Sequence, residues 1–256
     1  MNKKFSKDKL ETIVNKLLNK TIPAPISGTL SGHAAGEPFD KYVYKILGEN
    51  YNNIFRQYEY LNHLYSKNSH IFSAEGRHQL IPYLTLRQLL NRGNKTTNDW
   101  SLSNQFEEKQ NDTADILHVE DNNFVIIDVK TFNMDKLGQP PNIISSYKLA
   151  KACKNIIQMN EYDILDIIYI GIHWELSDNQ LICKKSYWKE LFKSEPSNLY
   201  INHAAALQIQ FHVDDLDQSF KGSQEDWCRS FLNHYLESYG KRINRIKKKF
   251  IEPFIL

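Results

Sequence analysis

Two short runs in the middle of the chain constrain its fold most: Ala114-Asp115-Ile116-Leu117-His118-Val119 and Phe124-Val125-Ile126-Ile127-Asp128-Val129-Lys130, with only Glu120 to Asn123 between them. Both are rich in β-branched residues and too short for helices, so they read as the strands of a β-hairpin. A longer strand is expected from about Asp166 to Trp174, and a half-exposed one where Leu207, Ile209, Phe211 and Val213 alternate with polar neighbours. Helical spacing brackets these runs. Pro38 suits the first turn of a helix whose Phe39, Tyr42, Val43, Ile46 and Leu47 form one apolar stripe. Pro140 and Pro141 end an extended stretch, after which Asn142 is placed to cap a helix to about Met159, with Ile143, Tyr147, Ala150 and Ile156 inward. Ser223, followed three residues later by Asp226, resembles a capping box opening a final helix. Strands and helices interleaved in this order predict an α/β chain with a mixed sheet flanked by helices.

With 256 residues and no internal repeat, one domain spanning 1–256 is the simplest organisation. The 32 Lys and Arg against 30 Asp and Glu leave a net charge of +2, so any surface attractive to polyanions is local. The three cysteines, Cys153, Cys183 and Cys228, are widely separated and form no Cys-x-x-Cys pair, against a disulfide scaffold or zinc ribbon. No apolar stretch follows Lys3, Lys4, Lys7 and Lys9, and the longest apolar run, around Ile167 to Ile172, is too short to cross a bilayer. A cytoplasmic protein with no membrane partner is expected.

The chemistry lies in the hairpin. Asp128 and Lys130 are two apart on one strand, so both leave the same face, with Phe124 and Ile126. A two-residue Asn122-Asn123 turn would set Asp115 opposite Lys130 and Leu117 opposite Asp128, leaving the two acids diagonal, roughly 7–8 Å apart at Cβ. Carboxylates at about 6 Å repel by ~3 kcal/mol at an effective dielectric of 20, so positive charge is required between them. Lys130 supplies one charge, and a hard divalent cation such as Mg²⁺, which takes a few carboxylates and several waters, would supply more. That set suits attack of water on a phosphodiester. The spacing equally suits an Asp115–Lys130 cross-strand ion pair with Asp128 solvated.

Longer stretches carry more. Ser27 to Phe39, Phe106 to Leu117, Asp128-Val129-Lys130-Thr131, Pro141-Asn142-Ile143-Ile144-Ser145, Leu191 to Asn202 and Gln208 to Gln218 resemble the HincII type II restriction endonucleases, of the PD-(D/E)xK nuclease superfamily. The resemblance implies a restriction-endonuclease-like mixed central sheet and a homodimer enclosing double-stranded DNA. It implies Mg²⁺-dependent cleavage with blunt ends at a palindrome like GTYRAC, and a cognate DNA methyltransferase in the same system. Position by position, it makes Asp115, Asp128 and Lys130 catalytic, with Asp115, Asp128 and the main-chain carbonyl of Val129 holding the metal. It makes Gln139 a wedge into the duplex, and Asn142, Asn202 and Ala205 DNA contacts. Gly138, His203 and Phe132 depart from the family pattern; because His203 adjoins Asn202, the recognised sequence is the part of the expectation they touch.

Other features have two readings each. Glu37, near a helix start, would offset the helix dipole or help hold a cation. Lys241, Arg242, Arg245, Lys247, Lys248 and Lys249 make the C-terminal helix basic, as a solvated face or a DNA or dimer contact. His212 with Asp214, Asp215 and Asp217 reads as surface rather than a metal site. Two further function classes stay open at this level, a structure-selective repair or recombination nuclease and a non-catalytic DNA-binding module.

Overall fold

The computed structural model describes residues 5–25, 33–65, 80–90, 106, 112–135, 140–204 and 207–255. In chain order the elements are α1 (Lys7–Asn15), β1 (Thr21–Pro23), α2 (His33–Asn50), β2 (Ile54–Phe55), α3 (Gln57–Tyr65), α4 (Leu84–Leu89), β3 (Ile116–Glu120), β4 (Asn123–Asn133) and β5 (Asn142–Ser145). Then come α5 (Ser146–Met159), β6 (Leu165–Ser177), β7 (Gln180–Glu190), β8 (Ile201–Asn202), β9 (Gln208–Gln210) and α6 (Gln224–Ile246).

The runs read as a hairpin are β3 and β4, joined by a two-residue turn, and they sit inside a six-stranded sheet of order β1-β7-β6-β4-β3-β2. β4 pairs in parallel with β6 and all other neighbours are antiparallel, so the sheet is mixed as expected. A parallel pair needs a crossover, and α5 lies between the two strands in sequence.

Alternation along β4 divides the core. Phe124 and Ile126 join Leu117, Ile167, Tyr169, Leu149, Ile156, Trp227 and Phe231 on the face covered by α5 and α6. Val125, Ile127 and Val129 join Ile116, Ile168, Ile170, Leu10, Phe39, Val43 and Leu47 on the face covered by α1 and α2. Burying side chains on both faces explains the near-continuous apolar run of β4, whose residues 124–129 are all buried. α2 presses so close that a Cβ at Gly36 would stand 2.5 Å from Thr131 Oγ1, one residue beyond Lys130.

Four local expectations differ. The turn is Asp121-Asn122, with Asp121 at φ 51°, because Glu120 pairs with Asn123 and Ile116 with Ile127. Asp and Asn both tolerate the left-handed region, so sequence alone could not choose between adjacent Asp-Asn and Asn-Asn turns. Moving the turn by one residue shifts the pairing register by two, which preserves the facing of each side chain but sets Asp115 across from Asp128 rather than Lys130. α2 begins at His33, so Pro38 lies inside the helix rather than in its first turn. Asn142 starts the short strand β5; the cap of α5 is Ser145, whose hydroxyl accepts from the Lys148 N–H, and Tyr147 is exposed while Ile143, Ala150 and Ile156 are buried. The alternating run near 207–213 supplies only the three residues of β9, since Val213 enters a 3₁₀ turn. The Ser223–Asp226 capping box is present, with both reciprocal hydrogen bonds.

The three cysteines are free and buried. Among the described residues no helix is long and apolar enough to cross a membrane.

Candidate active site

β4 runs on past the start of β3, still paired with β6 on its other edge, and Asp115, Asp128 and Lys130 meet beside the edge that β3 leaves open. Lys130 Nζ lies 2.7 Å from Asp128 Oδ1. The Val129 N–H donates to Asp115 Oδ2 at 3.0 Å, and the Asp115 and Asp128 carboxyls lie close enough to interact electrostatically. Asp128 is drawn from water, being 5 % exposed, while Asp115 and Lys130 are half-buried beside it. The alternative of Asp128 as a solvated surface acid does not fit that burial.

Burial, then the neighbouring Asp115 charge, pushes Asp128 well above the usual carboxylate range, and Lys130 only partly offsets this. Asp115 is also penalised by burial, but the adjoining Asp128 carboxyl, the Lys130 charge, the Val129 N–H and the Arg56 charge together hold it below its ordinary value. Burial works against the Lys130 ammonium, yet Asp128, Asp115 and Asp40 keep it above its ordinary value and therefore charged. Of the two acids Asp128 is thus the one on which a proton is favoured, while the lysine stays cationic.

A second ring of residues, not anticipated from sequence, fixes Asp115. Arg56 is 7 % exposed and donates from Nη1 to the Asp115 main-chain carbonyl at 3.0 Å and to Asp40 Oδ1 at 3.0 Å. Its Nη2 reaches Asp40 Oδ2 at 2.8 Å, a forked ion pair, and its guanidinium lies 4.4 Å from the centre of the Tyr44 ring. Glu59 accepts from the Arg56 N–H at 2.7 Å and the Tyr44 hydroxyl at 2.5 Å. Arg56 lies outside the hairpin motif, and a lone arginine after a two-residue strand carries no spacing signal. Glu37 pairs with Lys41 at 2.5 Å; the α2 acid that reaches this network is Asp40, one turn later.

A divalent cation fits these residues by the chemistry of the donors. Two carboxylates converge, and the N–H and carbonyl of a strand residue leave the same edge, so the Val129 carbonyl shares the side from which its N–H reaches Asp115. These donors are two carboxylates and a main-chain carbonyl, all hard oxygen ligands; among the described residues there is no group of three or more His, Cys, Asp or Glu that could hold a metal.

The family model for "Restriction endonuclease HincII" matches residues 13–255. The chain belongs to the HincII restriction endonuclease family. It is 51% identical over 251 residues to the type II restriction enzyme HindII of Haemophilus influenzae (strain ATCC 51907 / DSM 11121 / KW20 / Rd), covering 98% of this chain and 97% of that one. It is 50% identical over 251 residues to the type II restriction enzyme HincII of Haemophilus influenzae, with the same coverage. Among solved structures the NlaIV restriction endonuclease aligns over 93% of this chain and 91% of its own at 10% identity and a TM-score of 0.42, too slight a likeness to argue from.

Of the DNA contacts expected for a HincII-family chain, Gln139 and Ala205 lie outside the described residues. Asn142 and Asn202 lie on one small sheet of order β5-β9-β8, linked through Gln210. His203 turns towards α6, its Nε2 2.9 Å from Ser238 Oγ and its ring edge-on to Tyr239. Phe132 packs against the His173 and His212 rings, and Asp214 pairs with Lys185 at 2.9 Å. From Lys241 the C-terminal helix is exposed on all sides, with Lys241, Asn244, Arg245, Lys248 and Lys249 lining a basic groove.

Proposed function

We propose that the chain cleaves both strands of duplex DNA at a short palindrome resembling GTYRAC, leaving blunt ends, as a Mg²⁺-dependent type II restriction endonuclease. The observation that carries this reading is the meeting of Asp115 and Lys130 around the buried Asp128 in a chain half identical, over nearly its whole length, to type II restriction enzymes.

Asp115, Asp128 and the Val129 carbonyl would hold the cation. When bound, magnesium supplies Lewis-acid neutralisation of phosphate charge and a more acidic attacking water. Lys130 directs its ammonium at the attacking water or at the phosphate oxygens as negative charge develops there. Because Asp128 fixes Lys130 Nζ at 2.7 Å, that charge is in place before substrate arrives. Arg56 keeps the Asp115 backbone from drifting under the load of the buried charges.

Single-domain organisation, a homodimer, a protective DNA methyltransferase and a cytoplasmic location belong to the same proposal, as do DNA contacts by Gln139, Asn142, Asn202 and Ala205 and by the basic C-terminal helix. Incubation of plasmid DNA with the protein and Mg²⁺, followed by sequencing of the ends, tests it. Discrete blunt cuts support it, nicks confined to branched or damaged DNA favour a structure-selective nuclease, and intact DNA favours a binding module.

A further inference from the structure

Three side-chain amides stand in a row on the open face of the β5-β9-β8 sheet. Ile201 and Ile209 turn into the core, so by alternation Asn202 and Gln210 share the other face; a β-bulge between Asn142 and Ile144 brings Asn142 to that same face, opposite Gln210. Register sets Asn142 directly across from Gln210, and Asn202 across from Gln208, which makes Asn202 and Gln210 diagonal neighbours. Asn202 Nδ2 donates to Gln210 Oε1 at 2.6 Å, and Gln210 Nε2 donates to Asn142 Oδ1 at 2.6 Å.

The direction of this ladder is fixed at one end. The Ala204 main-chain N–H, which can only donate, meets Asn202 Oδ1 at 2.9 Å. Asn202 must therefore turn its Nδ2 towards Gln210, which must answer with Oε1 and offer Nε2 to Asn142. Asn142 accepts through Oδ1 and is left with its Nδ2 end away from the ladder, with no protein partner among the described residues. An amide read by a base edge has two unlike ends, and reversing it turns donor to face donor.

We infer that Gln210 is a specificity-determining residue: by bridging Asn202 and Asn142 it passes the orientation fixed at Asn202 on to Asn142, and so makes Asn142 a donor for a base acceptor such as purine N7. This rests on the proposal that Asn142 and Asn202 meet DNA. Gln210 acts through its neighbours, so the mark of its role is a change in which sequence is cut rather than in how fast everything is cut.

The test is cleavage of a DNA library carrying every single-base change in the site that the unaltered protein cuts. In Gln210→Glu the carboxylate still accepts from Asn202 but has no N–H for Asn142, whose amide must reverse and offer Oδ1. Cutting of the original site should fall ~10- to 100-fold, while a site presenting a base donor at one position gains. In Gln210→Met no polar end remains, Asn142 turns either way, and discrimination at that position should relax. Gln208→Glu places the same charge on the same strand face outside the ladder, and should lower cutting of all sites alike. An unchanged ranking of sites in both Gln210 variants, or a uniform loss in them that keeps the ranking, overturns the inference while the nuclease reading stands. Failure of the unaltered protein to cut duplex DNA at a discrete site overturns both.

Discussion

Lys130 Nζ stands 2.7 Å from the Oδ1 of Asp128, two residues earlier on the same strand, and Asp128 in turn leans on Asp115 across the mouth of the hairpin. One ammonium for two acids is a shortage of positive charge that drives Asp128 towards its protonated form.

That shortage is measurable in the metal-free protein. Asp128 has its carboxyl raised by burial and by Asp115, so its contribution to stability is fully present below the unfolded carboxylate range and is lost as pH rises through the raised folded value. Asp128→Asn removes the charge and keeps the shape. Thermal melts in chelator should show the variant gaining on the parent as pH rises, by a few degrees at alkaline pH on the order expected for ~1 kcal/mol, while DNA cleavage is lost. A variant melting below the parent at every pH would contradict the buried repulsion.

A cation bound at Asp128 should displace the proton that burial and Asp115 favour there. Titration calorimetry with Mg²⁺ or Mn²⁺ in buffers of differing ionisation enthalpy should report release of about one proton per site, and affinity should fall as pH is lowered because the proton competes for the same oxygens. Proton-neutral, pH-independent binding would place the cation elsewhere.

Lys130→Ala separates chemistry from cation binding. Losing one member of a buried charge cluster costs about 1–3 kcal/mol of stability, less than for an isolated pair because Asp128 can take up a proton. Cleavage should disappear, yet cation affinity should rise, since the ammonium no longer competes for Asp128. Weakened cation binding in this variant would make Lys130 a structural strut.

Arg56→Lys keeps the charge and loses the planar fork that holds both Asp40 and the Asp115 carbonyl. Cleavage at saturating DNA should fall ~10-fold and the Mg²⁺ concentration needed for half activity should rise, with KM for DNA little changed. A pure KM effect would move Arg56 from Asp115 to the DNA surface.

The sequence disclosed the site's components better than their arrangement. Strict alternation put Asp128 and Lys130 on one face with Phe124 and Ile126, and a one-residue slip of the turn, which shifts the register by two, left that parity intact while moving Asp115 from Lys130 to Asp128. The choice between Asp121-Asn122 and Asn122-Asn123 turns rests on packing of β4 between β3 and β6, which no local propensity encodes. Ser145 took the cap expected of Asn142 because Asn142 is engaged by Gln210 in a sheet whose partner strand lies some sixty residues away. Arg56 and Asp40 were illegible for the same reason: their meeting with Asp115 depends on how α2 and β2 dock onto the sheet. The capping box at Ser223 was legible because it is complete within four residues.

The most direct test is to map the ends made from duplex DNA by the parent protein and by Asp128→Asn, each with Mg²⁺ and with chelator. The account expects blunt ends at one short palindrome from the parent with Mg²⁺ alone, and none from the variant or in chelator. Cutting by Asp128→Asn at the parent's rate would contradict it.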